Sequence, residues 1–374
     1  MKELQKLVRK NILSLAPYSS ARNEYSGKEA TVFLDANENP YNQPYNRYPD
    51  PLQRDIKAKI ADIKGVDIDS IFLGNGSDEA IDLVYRCFTE PRIDNVVAIA
   101  PTYGMYQVCA DINDVEYRSV LLNEHFDIDA DSLLRACDAN TKVIWLCSPN
   151  NPTGAVATKE QLQQLVDFAK KNGCIIIFDS AYSAFIRDEN LPKTIFQIEG
   201  AKECALEINS FSKPAGFTGV RLGWSIVPKA LKFADGTPVQ ALWSRLINTF
   251  FNGASNIAQA GGLAALDPEG VQEMRQLTDF YLENAALIKK ALEGENFRVA
   301  GVEVYGQGNA PYLWVRFPGK KSWDMFDKIL DECHVVTTPG AGFGPAGESF
   351  IRFSSFGHRE AVEEACRRLA NLKL

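Results

Sequence analysis

The chain has 374 residues, 45% of them hydrophobic and 24% charged, and 40 Lys and Arg stand against 48 Asp and Glu for a net charge of -8. That length is long for one core and predicts two domains in one subunit of ordinary globular composition. Acidity without a basic block argues against nucleic acid as a partner, and no stretch approaches the roughly 20 apolar residues of a membrane span, so no membrane partner is expected.

In chain order, residues 1–13 carry charges throughout and lack the apolar core of a secretory signal. From about residue 70, short apolar runs alternate with helical patterns. Val96–Ala100, Val143–Cys147, Ile175–Phe178, Leu206–Ile208 and Trp224–Val227 read as strands; Glu79–Phe88 and Gln161–Lys171 carry apolar residues at three- and four-residue spacing. Such alternation predicts an α/β fold with a mainly parallel sheet covered on both faces. Functional residues then gather at the carboxyl ends of strands, where Pro101-Thr102-Tyr103, Asn150-Asn151-Pro152 and Asp179 stand. A long helical stretch from about Pro268 to Leu292 leads to a segment with strands of its own at Tyr312–Phe317 and Phe350–Phe353. The expected division is an N-terminal arm with part of a small domain over 1–49, a large domain over 50–265 and a small C-terminal domain over 266–374. The eight cysteines include no C-x-x-C pair and read as free thiols of a reducing cytoplasm. With three histidines, none in a metal spacing, neither a histidine triad nor a metal site is expected.

The run Ser210 to Trp224, SFSKPAGFTGVRLGW, sets Lys213 among small and hydroxyl residues with Arg221 eight positions on. Upstream, the apolar run Ile175–Phe178 ends in Asp179, with Tyr182 three residues later. Any one of these could be ordinary structure; in this order they are what pyridoxal phosphate chemistry needs. A lysine condenses with the aldehyde and moves protons. An aspartate keeps the pyridine nitrogen protonated, so that the ring draws electrons, and an arginine grips the phosphate through its fork. Gly74-Asn75-Gly76-Ser77-Asp78-Glu79 opens a helical pattern, and its backbone N–H groups suit a phosphate, although alone it would only cap a helix. Ser148–Gly154 reads as a turn, or as the loop from which Asn151, with Tyr182, donates to the cofactor's phenolic oxygen. Tyr103 offers a plate for stacking on the ring, or a core aromatic. Arg352, between strand-like apolar residues, is an edge-strand surface residue or the grip on a substrate carboxylate. Pro339 to Gly347, PGAGFGPAG, lacks the ending of a nucleotide-binding loop and reads as a mobile loop at the mouth of the site.

Together these residues resemble the class I/II aminotransferases of fold type I, over nearly the whole chain. Residues 1–147 resemble histidinol-phosphate aminotransferase in Pro17–Arg22, Leu34–Pro40 and Asn46–Asp50. From about 148 onward the chain resembles LL-diaminopimelate aminotransferase in Ala215–Trp224, Phe251–Asn256, Asn309–Tyr312 and Thr337–Gly347. The resemblance implies Lys213 as the Schiff-base lysine, Asp179 as the partner of the ring nitrogen, and Tyr182 and Asn151 as partners of the ring oxygen. It implies a phosphate cup of Ser77, Asp78, Ser210, Ser212 and Arg221, and a stacking Tyr103. Arg352 would hold the substrate anion, with Tyr18 and Arg316 also on substrate. Tyr48 would reach the neighbouring subunit's phosphate site and Asn252 its substrate pocket, which implies a homodimer with shared active sites. The reaction implied is transamination of LL-diaminopimelate with 2-oxoglutarate in lysine biosynthesis, with L-histidinol phosphate, in histidine biosynthesis, as the alternative donor. Histidinol-phosphate enzymes usually carry an arginine where this chain has Thr337; the glycine-rich N-terminal segment of diaminopimelate enzymes is not recognisable. A non-catalytic pyridoxal-phosphate-binding regulator would need an added basic segment, which the chain lacks.

Overall fold

The computed structural model describes residues 2–16, 36–41, 43–50, 52–250, 253–306 and 308–374. The apolar runs of the first 230 residues become strands β1 (Ile71–Gly74), β2 (Asn95–Ala100), β3 (Glu116–Leu121), β4 (Thr141–Cys147), β5 (Ile175–Asp179), β6 (Ala205–Ser210) and β7 (Gly223–Ile226). They form one sheet in the order β1-β7-β6-β5-β4-β2-β3, parallel except for β7, which runs antiparallel to both its neighbours. β4, β5 and β6 are buried along their whole length, the pattern of strands covered on both faces. Alternate residues feed two cores. Val143, Trp145, Ile175 and Ile177 pack on one face with the helix Ser77–Phe88; Ile144, Leu146, Ile176 and Phe178 pack on the other with the helix Lys159–Asn172.

That second helix shows why the chain folds locally as it does. Thr158 and Gln161 form a reciprocal capping box at its start, and Gly173, at φ +70°, ends it in the left-handed conformation that glycine adopts without strain. β1 and β3 were not among the sequence expectations. β1 is four residues long, and β3 is an edge strand whose side chains are all partly or fully exposed, so neither carries a long apolar run.

A second, antiparallel sheet follows the helix Pro268–Leu292: β8 (Glu303–Gly306), β9 (Tyr312–Arg316), β10 (Thr338–Pro339) and β11 (Phe350–Ser354), ordered β10-β11-β9-β8. Its own core gathers Leu313, Val315, Ile351 and Phe353 with Ile329 and Leu369 of the flanking helices. The glycine-rich run 339–347 is a pair of 3-10 turns set back to back; a Cβ on Gly340 would strike the Gly347 carbonyl, so glycine there serves close packing. Among the described residues no helix is long and apolar enough to cross a membrane.

Candidate active site

The carboxyl ends of β4, β5 and β6 and the start of the helix Ser77–Phe88 converge on a cavity of about 220 Å³. Its lining includes Ser77, Asp78, Tyr103, Asn151, Asp179, Tyr182, Ser210, Ser212, Lys213, Arg221 and Arg352, brought together from across the sequence, with Cys147 and Ala181 beside them.

Asp179 ends β5 with 3% of its surface exposed. Its Oδ1 accepts the Ala181 N–H at 3.0 Å and its Oδ2 accepts the Tyr106 hydroxyl at 2.7 Å. Burial pushes its carboxyl up to about 6, against the pull of those two donors, because the ionised form has lost most of its water. Lys213 sits in the turn after β6, its Nζ 5.9 Å from the centre of the Tyr182 ring. Burial first, then the positive charges of Arg352 and Arg221, hold its amine below the usual lysine value. Burial likewise drives the Tyr182 phenol up.

On the other side of the cavity, Gly76 precedes the helix Ser77–Phe88 at φ +80°, ψ 173°, and a Cβ there would lie 2.5 Å from Nη2 of Arg221. Gly223 of β7 packs against the same turn, where a Cβ would lie 2.7 Å from the Ser77 nitrogen. Arg221 itself holds φ +59°, a conformation that costs a non-glycine residue of order 1 kcal/mol or more. Its Nη2 donates to Asp78 Oδ2 at 3.0 Å, and the Tyr103 hydroxyl donates to Asp78 Oδ1 at 3.1 Å. A glycine-shaped gap, a helix N-terminus, two buried serines and an arginine fork make an anion cradle.

Arg352 reaches in from β11. Its Nη1 donates to Asn151 Oδ1 at 2.7 Å and its Nη2 to Thr338 Oγ1 at 3.3 Å, while its buried Nε has no partner. The guanidinium lies 5.0 Å from the centre of the Phe343 ring. Asn151 thus commits its side-chain oxygen to Arg352, and its Nδ2 donors are what it has left for a ligand.

Two other expected residues lie elsewhere. Arg316, at the end of β9, donates to Glu303 at 3.3 Å and lines a separate cleft with Phe126, Tyr305 and Glu348. Tyr48 is 55% exposed, its N–H donating to Glu38 Oε1, and it does not line the cavity of its own chain. Tyr18 and Asn252 lie outside the described residues. Tyr106 is the residue that sequence reasoning missed; its signal was the spacing of Tyr103 and Tyr106, three apart at the mouth of a helix.

The model of the aminotransferase class I and II family matches residues 21–369. This chain belongs to that family. Its members depend on pyridoxal phosphate, and the cradle beside Gly76, the buried carboxylate and the lysine of lowered pKa fit that group. The aminotransferase is 58% identical over 334 residues to the chloroplastic LL-diaminopimelate aminotransferase of Arabidopsis thaliana, covering 86% of this chain and 70% of the relative. It is 45% identical over 324 residues to the LL-diaminopimelate aminotransferase of Protochlamydia amoebophila, covering 83% and 76%. The solved L,L-diaminopimelate aminotransferase of Chlamydomonas reinhardtii superposes with a TM-score of 0.76 at 44% identity, over 88% of this chain and 82% of that one. A match over 86% of the aminotransferase cannot be confined to residues 148–374, so this similarity runs across the boundary at which the two sequence resemblances meet. The fold is that of the type I pyridoxal-phosphate enzymes. Among the described residues no cluster of His, Cys, Asp and Glu is arranged to hold a metal ion.

Proposed function

We propose that the aminotransferase transfers the amino group of LL-diaminopimelate to 2-oxoglutarate. The observation that carries the choice of donor is the placement of the arginines. Arg352 shares the cavity with Lys213, whereas Arg316 is paired with Glu303 in another cleft and position 337 is threonine. A donor with an α-carboxylate meets the partly exposed Arg352 in the cavity of Lys213; a donor with a phosphate finds neither of the two extra arginines that would share its charge. The identities of 58% and 45% to diaminopimelate enzymes support the same donor.

Bound pyridoxal phosphate supplies an aldehyde for the donor's amine and a ring that draws electrons from the donor's Cα. The rest is the work of this chain. Ser77, Asp78, Ser210, Ser212 and Arg221 would hold the phosphate, and Tyr103 would stack on the ring. Asp179 would keep the ring nitrogen protonated, since a carboxylate without solvent holds a proton donor strongly. Tyr182 and the Nδ2 of Asn151 donate to the phenolic oxygen. The lowered pKa of Lys213 raises the share of neutral amine, so that Nζ would be able to bind the aldehyde and, when free, to take the proton from the donor's Cα and hand it on. Arg352 sets the α-carboxylate so that Cα lies within reach of Nζ.

The working unit is a homodimer with shared sites, in which Tyr48 and Asn252 complete the partner's cavity; a half-exposed Tyr48 that is not among the described residues lining the Lys213 cavity of its own chain supports this. The two sheets and their separate cores support a division into an N-terminal arm with part of the small domain over 1–49, a large domain over 50–265 and a small C-terminal domain over 266–374. Eight free, mostly buried thiols support residence in the reducing cytoplasm.

The test is steady-state transamination of LL-diaminopimelate and L-histidinol phosphate, each with 2-oxoglutarate, on one preparation. The proposal expects kcat/KM for LL-diaminopimelate to exceed that for histidinol phosphate by at least a hundredfold. The reverse order would transfer the assignment to histidine biosynthesis.

A further inference from the structure

Behind the cavity a second tyrosine holds the buried carboxylate. Tyr106 is fully buried, and its hydroxyl donates to Asp179 Oδ2 at 2.7 Å across 73 residues of sequence. Its ring stacks on Trp145 with centroids 4.6 Å apart and planes 15° apart, and meets the edge of Tyr103 at 5.7 Å. Its carbonyl accepts the Tyr85 hydroxyl at 2.6 Å. Ring, backbone and hydroxyl are thus each fixed by a different element, so the phenol has one place to point. Tyr103 and Tyr106 also share the opening of one helix, Met105–Ile112, which ties the plate over the ring to the brace behind the carboxylate.

We propose that Tyr106 is a positioning residue that sets how the proton is shared between Asp179 and the cofactor's ring nitrogen, by donating its hydroxyl to Oδ2 while the Ala181 N–H donates to Oδ1, which leaves one lone pair on each oxygen for the ring. This rests on the reading of Asp179 given above and deepens it. A carboxylate and a pyridine facing each other hold one proton between them. A donor to the carboxylate stabilises its ionised form and drives the proton onto the ring. Without the donor, the proton moves to Asp179, and the neutral ring draws electrons less strongly.

The surroundings leave this task to Tyr106. The other charges felt at Asp179 are Asp78 of the helix Ser77–Phe88 and Glu207 of β6, both of which favour its protonated form, and Lys213, whose amine is itself held toward neutrality. Tyr103, Tyr182 and Cys147 face the carboxyl as neutral groups, their own protons held by burial. Besides Tyr106, the Ala181 N–H is the donor to the carboxylate among the described residues.

The test uses holoenzyme loaded with pyridoxal phosphate labelled with nitrogen-15 in the ring, read by NMR. Tyr106→Phe keeps the ring and its stack on Trp145 and removes one hydroxyl. The expected result is a move of the nitrogen signal toward unprotonated pyridine, with the proton-sharing ratio changed by about tenfold to a hundredfold, the range for a hydrogen bond to a charged group. Turnover should fall by a similar factor, with KM for LL-diaminopimelate changed less than threefold and the melting temperature nearly kept. A signal identical to that of the unmutated enzyme overturns the inference. Asp179→Asn, measured the same way, separates this from the reading beneath it. If that variant leaves the ring protonated, the Asp179 assignment fails and the inference with it. If it deprotonates the ring while Tyr106→Phe does not, the inference alone fails. Should Tyr106→Phe not fold, fluorotyrosine at position 106 strengthens the donor and must move the signal toward pyridinium; no movement is again a refutation.

Discussion

Replacing Arg352 by lysine tests the substrate grip. The change keeps one positive charge but removes the planar fork, and with it the donation to Asn151 at 2.7 Å and the contact with Phe343. Lysine can place one donor where arginine placed two, so a carboxylate bound there loses one charge-assisted hydrogen bond, worth about 1.5–3 kcal/mol. At about 1.4 kcal/mol per decade, that is a rise in KM of roughly 10- to 150-fold. Because both substrates of a transaminase present an α-carboxylate to the same residue in turn, KM should rise for LL-diaminopimelate and for 2-oxoglutarate together. Arg316→Ala is the companion variant: it breaks a pair with Glu303 that is half-exposed on both sides, in a cleft apart from Lys213, and should change either KM by less than threefold. Initial-rate kinetics on both variants with both substrates decide the matter. If Arg316→Ala abolishes activity while Arg352→Lys spares 2-oxoglutarate, the placement of the substrate carboxylate is wrong.

Lys213→Ala should leave a folded protein with turnover below a few per cent, since one side chain supplies both the amine and the proton transfer; more activity than that, without added amine, contradicts the role. Asp179 gives a stability signature in the apoprotein. Its folded pKa of about 6 lies above the usual carboxylate value, so its contribution to stability is full below about pH 4 and is lost as pH rises through 6, on the order of 2–3 kcal/mol. Asp179→Asn should therefore gain stability relative to the unmutated chain between pH 4.5 and pH 7.5 in urea unfolding, and an unchanged difference would show that the carboxyl is not desolvated. Gly76→Ala places a Cβ against Arg221 at a φ, ψ nearly restricted to glycine, and should weaken pyridoxal phosphate binding by about 1–3 kcal/mol in a fluorescence titration; unaltered affinity would remove the cradle from the binding site.

The buried strands were legible because a sheet covered on both faces demands unbroken apolar runs, as in Ile175–Phe178 and Val143–Cys147. β3 was not, because an edge strand with exposed side chains has no such requirement. The cavity's lysine, aspartate and arginines stood out as charged residues in apolar or glycine-rich company, which burial makes costly without a purpose. Pairings between distant charges carried no such mark. Arg316 reads like Arg352 in the sequence, each closing or interrupting an apolar strand, and only the fold sends one to Glu303 and the other to Asn151. Glu207 lay unremarked inside β6, yet it is fully buried, accepting from the Asn209 amide at 3.0 Å and from the Thr194 hydroxyl, with Lys64 at 3.6 Å. Tyr106 passed for core because its partner is 73 residues away.

The most direct measurement is the half-reaction. Holoenzyme mixed with LL-diaminopimelate, with no oxo acid present, should convert its cofactor to pyridoxamine phosphate at one equivalent per subunit, with the absorption of the internal imine lost in a single phase, and 2-oxoglutarate should restore it. Histidinol phosphate at the same concentration should leave the spectrum unchanged on that timescale. Conversion by histidinol phosphate and none by LL-diaminopimelate would contradict the account.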